Sequence, residues 1–283
     1  MMNKNNIVIG AGGFLGSSVT HGLVREDAQL VTIGRNQIDL LQFSGVKLLH
    51  ELVNDGDSVF LFSAIAPCKS PQQFAANSIM AEILCEGLSK INLDSFTYIS
   101  SDAVYADSSV PINENSLVAP QSLHGIMHRS REFIFDTQIN SDRKLFLRPT
   151  LVYGYTDPHN GYGPNQFARQ SINNNLINVV GMGEELRDHI SILDFSNIFN
   201  LLVRSKYSGY VNICSGTAIT FLEIAKIISH FNKTTTINFI DRTSPMPHNG
   251  YRTFDISLLK SLTGEYIFES LETYLKNNYA KYG

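Results

Sequence analysis

The sequence has few of the features that mark membrane, secreted or nucleic-acid-binding proteins. No apolar run within its 283 residues approaches the length of a bilayer crossing, so we expect no membrane span. The three cysteines, Cys68, Cys85 and Cys214, lack the paired spacing of a disulfide framework, which favours a reducing compartment. There is no basic run and the net charge is −4, so nucleic acid is not an expected partner.

The composition that remains is typical of a globular protein. Hydrophobic residues make up 43% of the chain and charged residues 17%. The length allows one large domain, or one domain and a lobe, with a substantial core. The first residues, Met-Met-Asn-Lys-Asn-Asn, lead directly into an apolar strand pattern and leave no room for a signal peptide. We therefore predict a cytoplasmic protein.

Short apolar runs alternate with helical patterns over the first half of the chain. Strands are predicted at Ile7–Ile9, Gln29–Ile33, Asp57–Phe62, Phe96–Ser100 and Lys144–Leu147. Helices are predicted at Phe14–Arg25, Gln72–Ser89 and Leu123–Thr137. This alternation predicts a doubly wound α/β fold, in which helices cover both faces of a parallel sheet.

The pattern changes after about residue 154. The segment Tyr155–Asn165 is rich in Gly, Pro, Asn and Tyr, as expected for a mobile loop over a site. Helices are then predicted at Gln166–Asn174, Asp194–Arg204 and Phe221–Phe231, and strands at Ile177–Val180 and Gly209–Ile213. We predict a first domain over 1–154, to which residues 190–205 return, and a small α/β lobe over 155–283.

A glycine-rich turn, Gly10-Ala-Gly-Gly-Phe-Leu-Gly16, stands between the first strand and the first helix. Glycine permits a tight turn and lets backbone N–H groups approach a pyrophosphate, while the helix N-terminus adds a favourable dipole. The alternative is a turn that merely needs glycine. In this context the pattern predicts a dinucleotide site whose contacts are Gly10, Gly12, Gly13, Phe14, Leu15 and Gly16.

The end of the second strand is expected to select between NAD and NADP. An acid at this position binds the ribose 2′-hydroxyl of NAD, whereas an arginine accommodates the 2′-phosphate of NADP. The strand ends Thr32-Ile-Gly-Arg35, with no acid at its tip. Arg35 therefore favours NADP over NAD, unless it is only a solvated surface arginine.

Further segments resemble the extended short-chain dehydrogenases, and among them the NAD-dependent epimerase/dehydratase family in its nucleotide-sugar branch. They follow the family's order: Ser63-Ala-Ile-Ala66, Asn77, Tyr98-Ile-Ser-Ser-Asp-Ala-Val-Tyr105, Leu147-Arg-Pro-Thr-Leu-Val-Tyr-Gly154, and Val180-Gly-Met-Gly-Glu-Glu-Leu-Arg-Asp-His-Ile190 with Asp194. The resemblance runs from residue 7 to about 195 and implies a Rossmann-type sheet with a small C-terminal α/β substrate lobe.

The resemblance also implies binding residues. For the cofactor these are Asp39, Leu40, Ser63, Ala64 and Asn77. For the substrate diphosphate, Arg187 is the expected ligand, assisted by Asn165 and Arg169, because the planar guanidinium suits phosphate oxygens. A salt bridge with Asp188 or Glu184 is the alternative for Arg187.

The catalytic motif is where the sequence departs from the family. Ser101 fits the family's Ser/Thr position, but His124 and His128 stand where its catalytic tyrosine and lysine are expected, and no Tyr-x-x-x-Lys occurs elsewhere. Imidazole titrates near neutrality and can act as a general acid or base. We expect His124 to transfer a proton, Ser101 to bind the reacting oxygen, and His128 to assist or to contact the nicotinamide ribose.

Other interpretations of these residues stay open. Asp102 is either an acid beside Ser101 that can orient a histidine, or a capping residue. The two histidines are otherwise ordinary helix-surface residues, or remnants in a binder that lost redox catalysis. As metal ligands they lack a third partner and the Glu of H-E-x-x-H, so we predict no metal site.

Together these features predict NAD(P)-dependent epimerisation, keto-reduction or a related oxidoreduction of a nucleotide-linked sugar, for surface polysaccharide synthesis. The resemblance implies a homodimer formed through the helices at residues 72–89 and 123–137. Two alternatives remain: a degenerate NAD(P)-binding sensor or partner subunit, and non-redox sugar-nucleotide chemistry in the same site.

Overall fold

A computed structural model describes residues 4–23 and 28–283 of the protein. The chain forms two compact units. The first comprises Met1–Ala106, Glu114–Pro149 and Ser196–Asn212, and the second Asp107–Asn113, Thr150–Phe195 and Ile213–Gly283.

The strands of the described residues are β1 (Lys4–Ile9), β2 (Ala28–Ile33), β3 (Ser58–Leu61), β4 (Ser95–Ile99), β5 (Lys144–Pro149), β6 (Leu151–Tyr153), β7 (Leu176–Val180), β8 (Leu186–Ser191), β9 (Gly209–Ile213), β10 (Ala218–Thr220), β11 (Thr236–Ile240) and β12 (Tyr251–Arg252). The helices are α1 (Phe14–Val19), α2 (Ser44–Leu52), α3 (Pro71–Leu88), α4 (Leu123–Gln138), α5 (Pro164–Asn174), α6 (Ile192–Arg204), α7 (Phe221–Ser229), α8 (Ser257–Thr263) and α9 (Leu271–Asn278). Short 3-10 helices occupy Thr20–Leu23, Asp102–Val104, Pro247–Gly250 and Tyr279–Tyr282.

The first unit is built on a sheet with the strand order β2-β1-β3-β4-β5-β9. The pairs β1–β2, β1–β3, β3–β4 and β4–β5 are parallel, as the alternating pattern predicts. The strand order reverses at β1, which lies between β2 and β3, and this switch point of the doubly wound sheet leaves a crevice at the carboxyl ends of the strands.

Helices pack on both faces of this sheet because successive strand residues point to opposite sides. Ile7 and Val59 lie in a core cluster with residues of α2, α3 and α4, such as Leu49 and Leu84. On the other face, Phe60 packs edge-on against Phe199 of α6, with ring centroids 5.7 Å apart. The strands are therefore buried on both sides, as their continuous apolar sequences require.

The second unit has smaller sheets. Strands β10, β8 and β12 form one sheet, with β6 also paired to β8, and β7 pairs in parallel with β11. Tyr162, Phe167 and Phe221 pack together between α5 and α7. No helix in the described ranges is long and apolar enough to cross a membrane.

Most predicted elements of the first 150 residues occur within a few residues of their expected bounds. The first helix is an exception, since α1 ends at Val19 and a 3-10 turn follows it; its predicted end at Arg25 lies outside the described residues. Helix α2 was not predicted, and neither were β6, β8, β10, β11, β12, α8 and α9. These missed elements are short, and the strands among them are positioned by long-range pairing.

Candidate functional site

The glycine turn at the end of β1 leaves room for a ligand beside it. Gly10 has a φ of +91°, and a Cβ at this position would lie 2.7 Å from the backbone N of Ser63, so only glycine fits. A Cβ on Gly12, by contrast, would meet no atom within 4 Å. Helix α1 begins at Phe14 without a side-chain cap on its first amides. This cradle fits the diphosphate of a dinucleotide.

After β2, Ile38 and Leu40 are buried, whereas Arg35, Asn36 and Gln37 lie at the surface. Arg35 is exposed, and its Nε lies 3.9 Å from Oδ1 of Asp39. The same carboxylate oxygen accepts a hydrogen bond from the backbone N–H of Leu41 at 3.1 Å. The predicted NADP preference through Arg35 and the adenine contact of Asp39 stay predictions.

A buried hydrogen-bond network fixes the segment after β3, which includes Ser63 and Ala64. The side chain of Asn77 accepts from the N–H of Ile65 and donates to its carbonyl, both at 3.0 Å. Arg131 of α4 donates to Oδ1 of Asn77 at 2.8 Å and to the carbonyl of Ser63 at 2.9 Å. Arg131 is 1% exposed and makes no salt bridge among the described residues. The buried Arg131 thus holds Ser63, whose backbone lies against Gly10 in the glycine turn.

Ser101 and Asp102 form a tight turn after β4. The Ser101 hydroxyl accepts from the N–H of Ala103 at 3.1 Å and donates to Oδ1 of Asp102 at 3.4 Å. A Cβ on Gly125 would collide with the carbonyl oxygen of Ala103. Glycine at that position therefore lets the first turn of α4, which carries His124, approach this turn closely.

His124 lies in the first turn of α4, and its ring is half-buried. Its Nδ1 accepts a hydrogen bond from the backbone N–H of Cys68 at 3.3 Å. Its ring is perpendicular to that of His128, with centroids 4.6 Å apart. Burial lowers the pKa of His124, and the nearby Asp102 carboxylate opposes this effect. The imidazole is therefore neutral near pH 7.

His128 lies deeper, with 4% of its surface exposed. Its Nδ1 is 2.7 Å from the hydroxyl of Tyr98, which burial keeps protonated by raising its pKa. Burial holds the pKa of His128 well below its usual range, and the nearby His124 and Arg131 lower it further. His128 is thus a neutral, hydrogen-bonded residue beneath His124, and its contact with the ribose stays a prediction.

A buried ion pair holds α4 against the sheet. Glu132 accepts from Nε and Nη2 of Arg148 at 2.8 Å each, and from the hydroxyl of Ser100 at 2.7 Å. Arg148 also donates to the hydroxyl of Tyr105 at 2.9 Å. The charges are satisfied by bidentate geometry, so this network fixes the position of the histidines.

In the second unit, two arginines lie side by side on paired strands. Arg187 of β8 is in register with Arg252 of β12, and both are buried. Arg187 donates to Glu185 at 3.4 Å, and Nη1 of Arg252 lies 3.8 Å from Oδ1 of Asp107. Adjacent positions on parallel strands place these side chains on the same face, where they concentrate positive charge.

Asn165 and Arg169 fasten the segment that precedes and opens α5. Asn165 is buried; it accepts from the N–H of Gly154 at 3.0 Å and donates to Asp157 at 2.7 Å. Arg169 donates to the carbonyls of Tyr155 at 3.1 Å and Asp157 at 2.7 Å. These bonds give both residues a structural role, and their predicted contact with substrate stays a prediction.

Comparison with known proteins decides the family. The model of the NAD-dependent epimerase/dehydratase family matches residues 6–214, about three quarters of the chain. The chain belongs to this family. Among curated proteins, it is 24% identical to the uncharacterized UDP-glucose epimerase YtcB of Bacillus subtilis, over 90% of each chain. The resemblance inferred from the sequence motifs is therefore confirmed.

Solved structures show the same fold. The UDP-glucose 4-epimerase of Thermotoga maritima, solved with UDP-glucose, superposes with a TM-score of 0.83 at 21% identity, covering 98% of both chains. The UDP-glucuronic acid 4-epimerase of Bacillus cereus, solved with NAD, gives a TM-score of 0.79 at 21% identity and the same coverage. The predicted Rossmann-type fold class is confirmed.

Three residues around this site were not among the candidates predicted from the sequence: Arg131, Tyr98 and Arg252. Arg131 follows His124 and His128 at spacings of seven and three, which place all three on one helical face. That spacing was visible in the sequence. Tyr98 begins one of the family-like segments, but its uniformly buried strand gave no sign of a role in the site. Arg252 lies in the C-terminal region without a motif match. Among the described residues, no group of three His, Cys, Asp or Glu side chains is arranged to hold a metal ion.

Proposed function

We propose that this protein is an NAD(P)-dependent enzyme that epimerises, reduces or otherwise converts a nucleotide-linked sugar. The observation that carries the proposal is the cradle at Gly10–Gly16, which is tight at Gly10 and open at Gly12. Family membership over residues 6–214 supports the same conclusion. When bound, the nicotinamide would supply hydride exchange. NADP is favoured over NAD only by the exposed Arg35.

Ser101 and His124 are the proposed contacts of the reacting sugar oxygen. The supporting observation is that both belong to turns held at the carboxyl end of β4, the edge at which ligands of such sheets bind. His128 packs against His124 and is itself held by a 2.7 Å hydrogen bond to the hydroxyl of Tyr98. These two residues would therefore hold the ring of His124 in place. Asp102 would act as an acid or orienting carboxylate, since it accepts from Ser101.

Arg187 and Arg252 are the proposed ligands of the substrate diphosphate. The two arginines are buried and occupy paired positions on neighbouring strands. Their planar guanidinium groups can donate paired hydrogen bonds to phosphate oxygens. Glu185 and Asp107 lie beside them and offset their charge before a ligand arrives. Arg169 and Asn165 would assist by holding the start of α5.

The proposed assembly is a homodimer formed through α3 and α4. These helices pack against each other, and their outer surfaces expose Ile79, Ile126 and Phe133, of which Phe133 is 62% exposed. Exposed apolar side chains on these two helices favour association with a second copy. The cytoplasmic location is supported by the free thiols of Cys68, Cys85 and Cys214, while a role in surface polysaccharide synthesis stays a prediction.

Mass spectrometry of small molecules retained by the native, purified protein tests the proposal. We expect NAD or NADP, and a nucleotide sugar, among them. UDP-glucose, the compound in the Thermotoga complex, is the first substrate to assay, with products identified by NMR. Retained nicotinamide without conversion of any nucleotide sugar would support a sensor instead, and a protein that binds neither ligand would refute the proposal.

A variant pair tests the diphosphate site. Arg187→Gln removes a charge-assisted contact and should raise the KM for the nucleotide sugar by about 10- to 100-fold. Arg143→Gln removes an arginine that pairs with Asp94 at the surface of the other unit and should leave KM unchanged. Equal KM values for the two variants would exclude Arg187 as a phosphate ligand.

A further inference from the structure

The hydrogen bond between Cys68 and His124 determines which nitrogen of His124 can carry a proton. A backbone N–H only donates, so Nδ1 of His124 must present its lone pair to Cys68, 3.3 Å away. A neutral imidazole with an unprotonated Nδ1 has its proton on Nε2. The structure therefore selects the Nε2–H tautomer of His124.

The remaining contacts of His124 agree with this tautomer. Its ring meets His128 edge to face, and no described residue forms a hydrogen bond with its Nε2. The charged or titratable neighbours are Asp102 in the preceding turn, His128 on the same helix and the Cys68 thiol, which burial keeps protonated by raising its pKa. Among the described residues, no hydrogen bond joins any of these groups to Nε2. Nε2–H is thus available to a ligand.

The reverse tautomer is disfavoured by its geometry. It would place a proton on Nδ1 facing the Cys68 N–H, so two donors would oppose each other and the amide would lose its acceptor. A general base needs a lone pair on the nitrogen that faces the substrate. His124 has that lone pair on the opposite side of its ring, facing Cys68.

We propose that His124 is a fixed neutral hydrogen-bond donor, which binds the reacting sugar oxygen through Nε2–H and does not remove its proton. This inference rests on the proposed function for the identity of the oxygen. It is an alternative to the proton-transfer role expected from the sequence. A neutral imidazole donor stabilises an oxygen that carries or develops negative charge, as an oxyanion-hole donor does. Any proton removed from the sugar must then go to another group, and Asp102 is the carboxylate whose charge acts on His124.

Nitrogen NMR of the ligand-free protein tests the tautomer without any substrate. Long-range ¹H–¹⁵N correlation spectra near pH 7 distinguish protonated from unprotonated ring nitrogens, and His124→Gln identifies the signals by their loss. We expect an unprotonated Nδ1 and a protonated Nε2 for His124. A protonated Nδ1 would overturn the proposal, whatever the protein does with sugars.

Two amide variants test the donor role in turnover. The longer His124→Gln can place an amide N–H near the position of Nε2, whereas His124→Asn can only replace the acceptor that faces Cys68. We expect kcat to fall by about 10²- to 10³-fold for Asn, as for loss of an oxyanion donor, but only by about tenfold for Gln. Equal, severe losses in both would indicate a general base and overturn the proposal. If the parent protein converts no nucleotide sugar, the proposed function fails, while the nitrogen spectra still decide the tautomer.

Discussion

At the scale of single residues, the buried charges of this protein are satisfied to different degrees. The carboxylate of Glu132 is satisfied by Arg148 and Ser100 with three hydrogen bonds of 2.8 Å or less. Arg131, by contrast, is a buried cation held by neutral acceptors, namely Asn77 and the Ser63 carbonyl. Its charge helps to keep His128 neutral.

Glu132→Ala should destabilise the protein strongly. It leaves the Arg148 guanidinium buried without a counter-charge, which costs about 3–5 kcal/mol of unfolding free energy. Glu51→Ala, which breaks the exposed pair of Glu51 with Lys47, should cost about 1 kcal/mol or less. Urea denaturation of both variants measures the difference; similar midpoints would show that the Glu132 pair adds little.

At the scale of elements, the turn between β1 and α1 contains one glycine that the fold requires and another that leaves room for a ligand. Gly10 serves folding, because its φ is positive and the Ser63 backbone lies against it. Gly12 is not required by the packing of the protein, because a Cβ at this position would meet no protein atom within 4 Å. Glycine here keeps the space beside the turn open. The same sequence motif therefore contains glycines kept for different physical reasons.

Gly12→Ala should leave the protein as stable as the parent but reduce its affinity for NAD or NADP, because the added methyl group enters the space proposed for the diphosphate. Gly10→Ala should lower the stability itself, by about 1–3 kcal/mol. Thermal unfolding and calorimetric titration with both nucleotides measure these effects. If Gly12→Ala binds both nucleotides as tightly as the parent protein, the cofactor does not bind beside this turn.

At the scale of the whole molecule, the exposed apolar surface of α3 and α4 allows a test of assembly. Phe133→Glu places a charge in the proposed interface and should convert a dimer into a monomer. Phe43→Glu alters a phenylalanine of the same exposure, 62%, at the start of α2, and should leave the dimer intact. Light scattering gives the masses; a monomeric parent protein, or a dimeric Phe133→Glu, would exclude this interface.

The buried histidines should also make the protein sensitive to acid. Burial lowers the pKa of His189 to about 3 and that of His128 well below its usual range. In the unfolded chain both titrate near pH 6.5, so below that pH the unfolded state binds protons that the folded state does not. Their stabilisation is complete above pH 6.5 and is lost as the pH falls towards the folded pKa values, at about 1.4 kcal/mol per pH unit for each histidine.

Denaturation between about pH 7.5 and pH 5 measures this slope. His189→Gln should reduce the slope of stability against pH by up to about one proton. A parent protein whose stability is constant over this range would show that these rings take up protons in the folded state.

The sequence by itself determined the parallel α/β sheet, the glycine turn and the family, because these depend on local patterns: apolar runs, glycine spacing and motifs in a fixed order. It also located His124 and His128. Only the tertiary structure decided the contacts of these two histidines. The tautomer of His124 depends on an amide 56 residues away, and Arg187 meets Arg252 only through strand pairing. Such contacts follow from how loops and strands pack, which no local periodicity encodes.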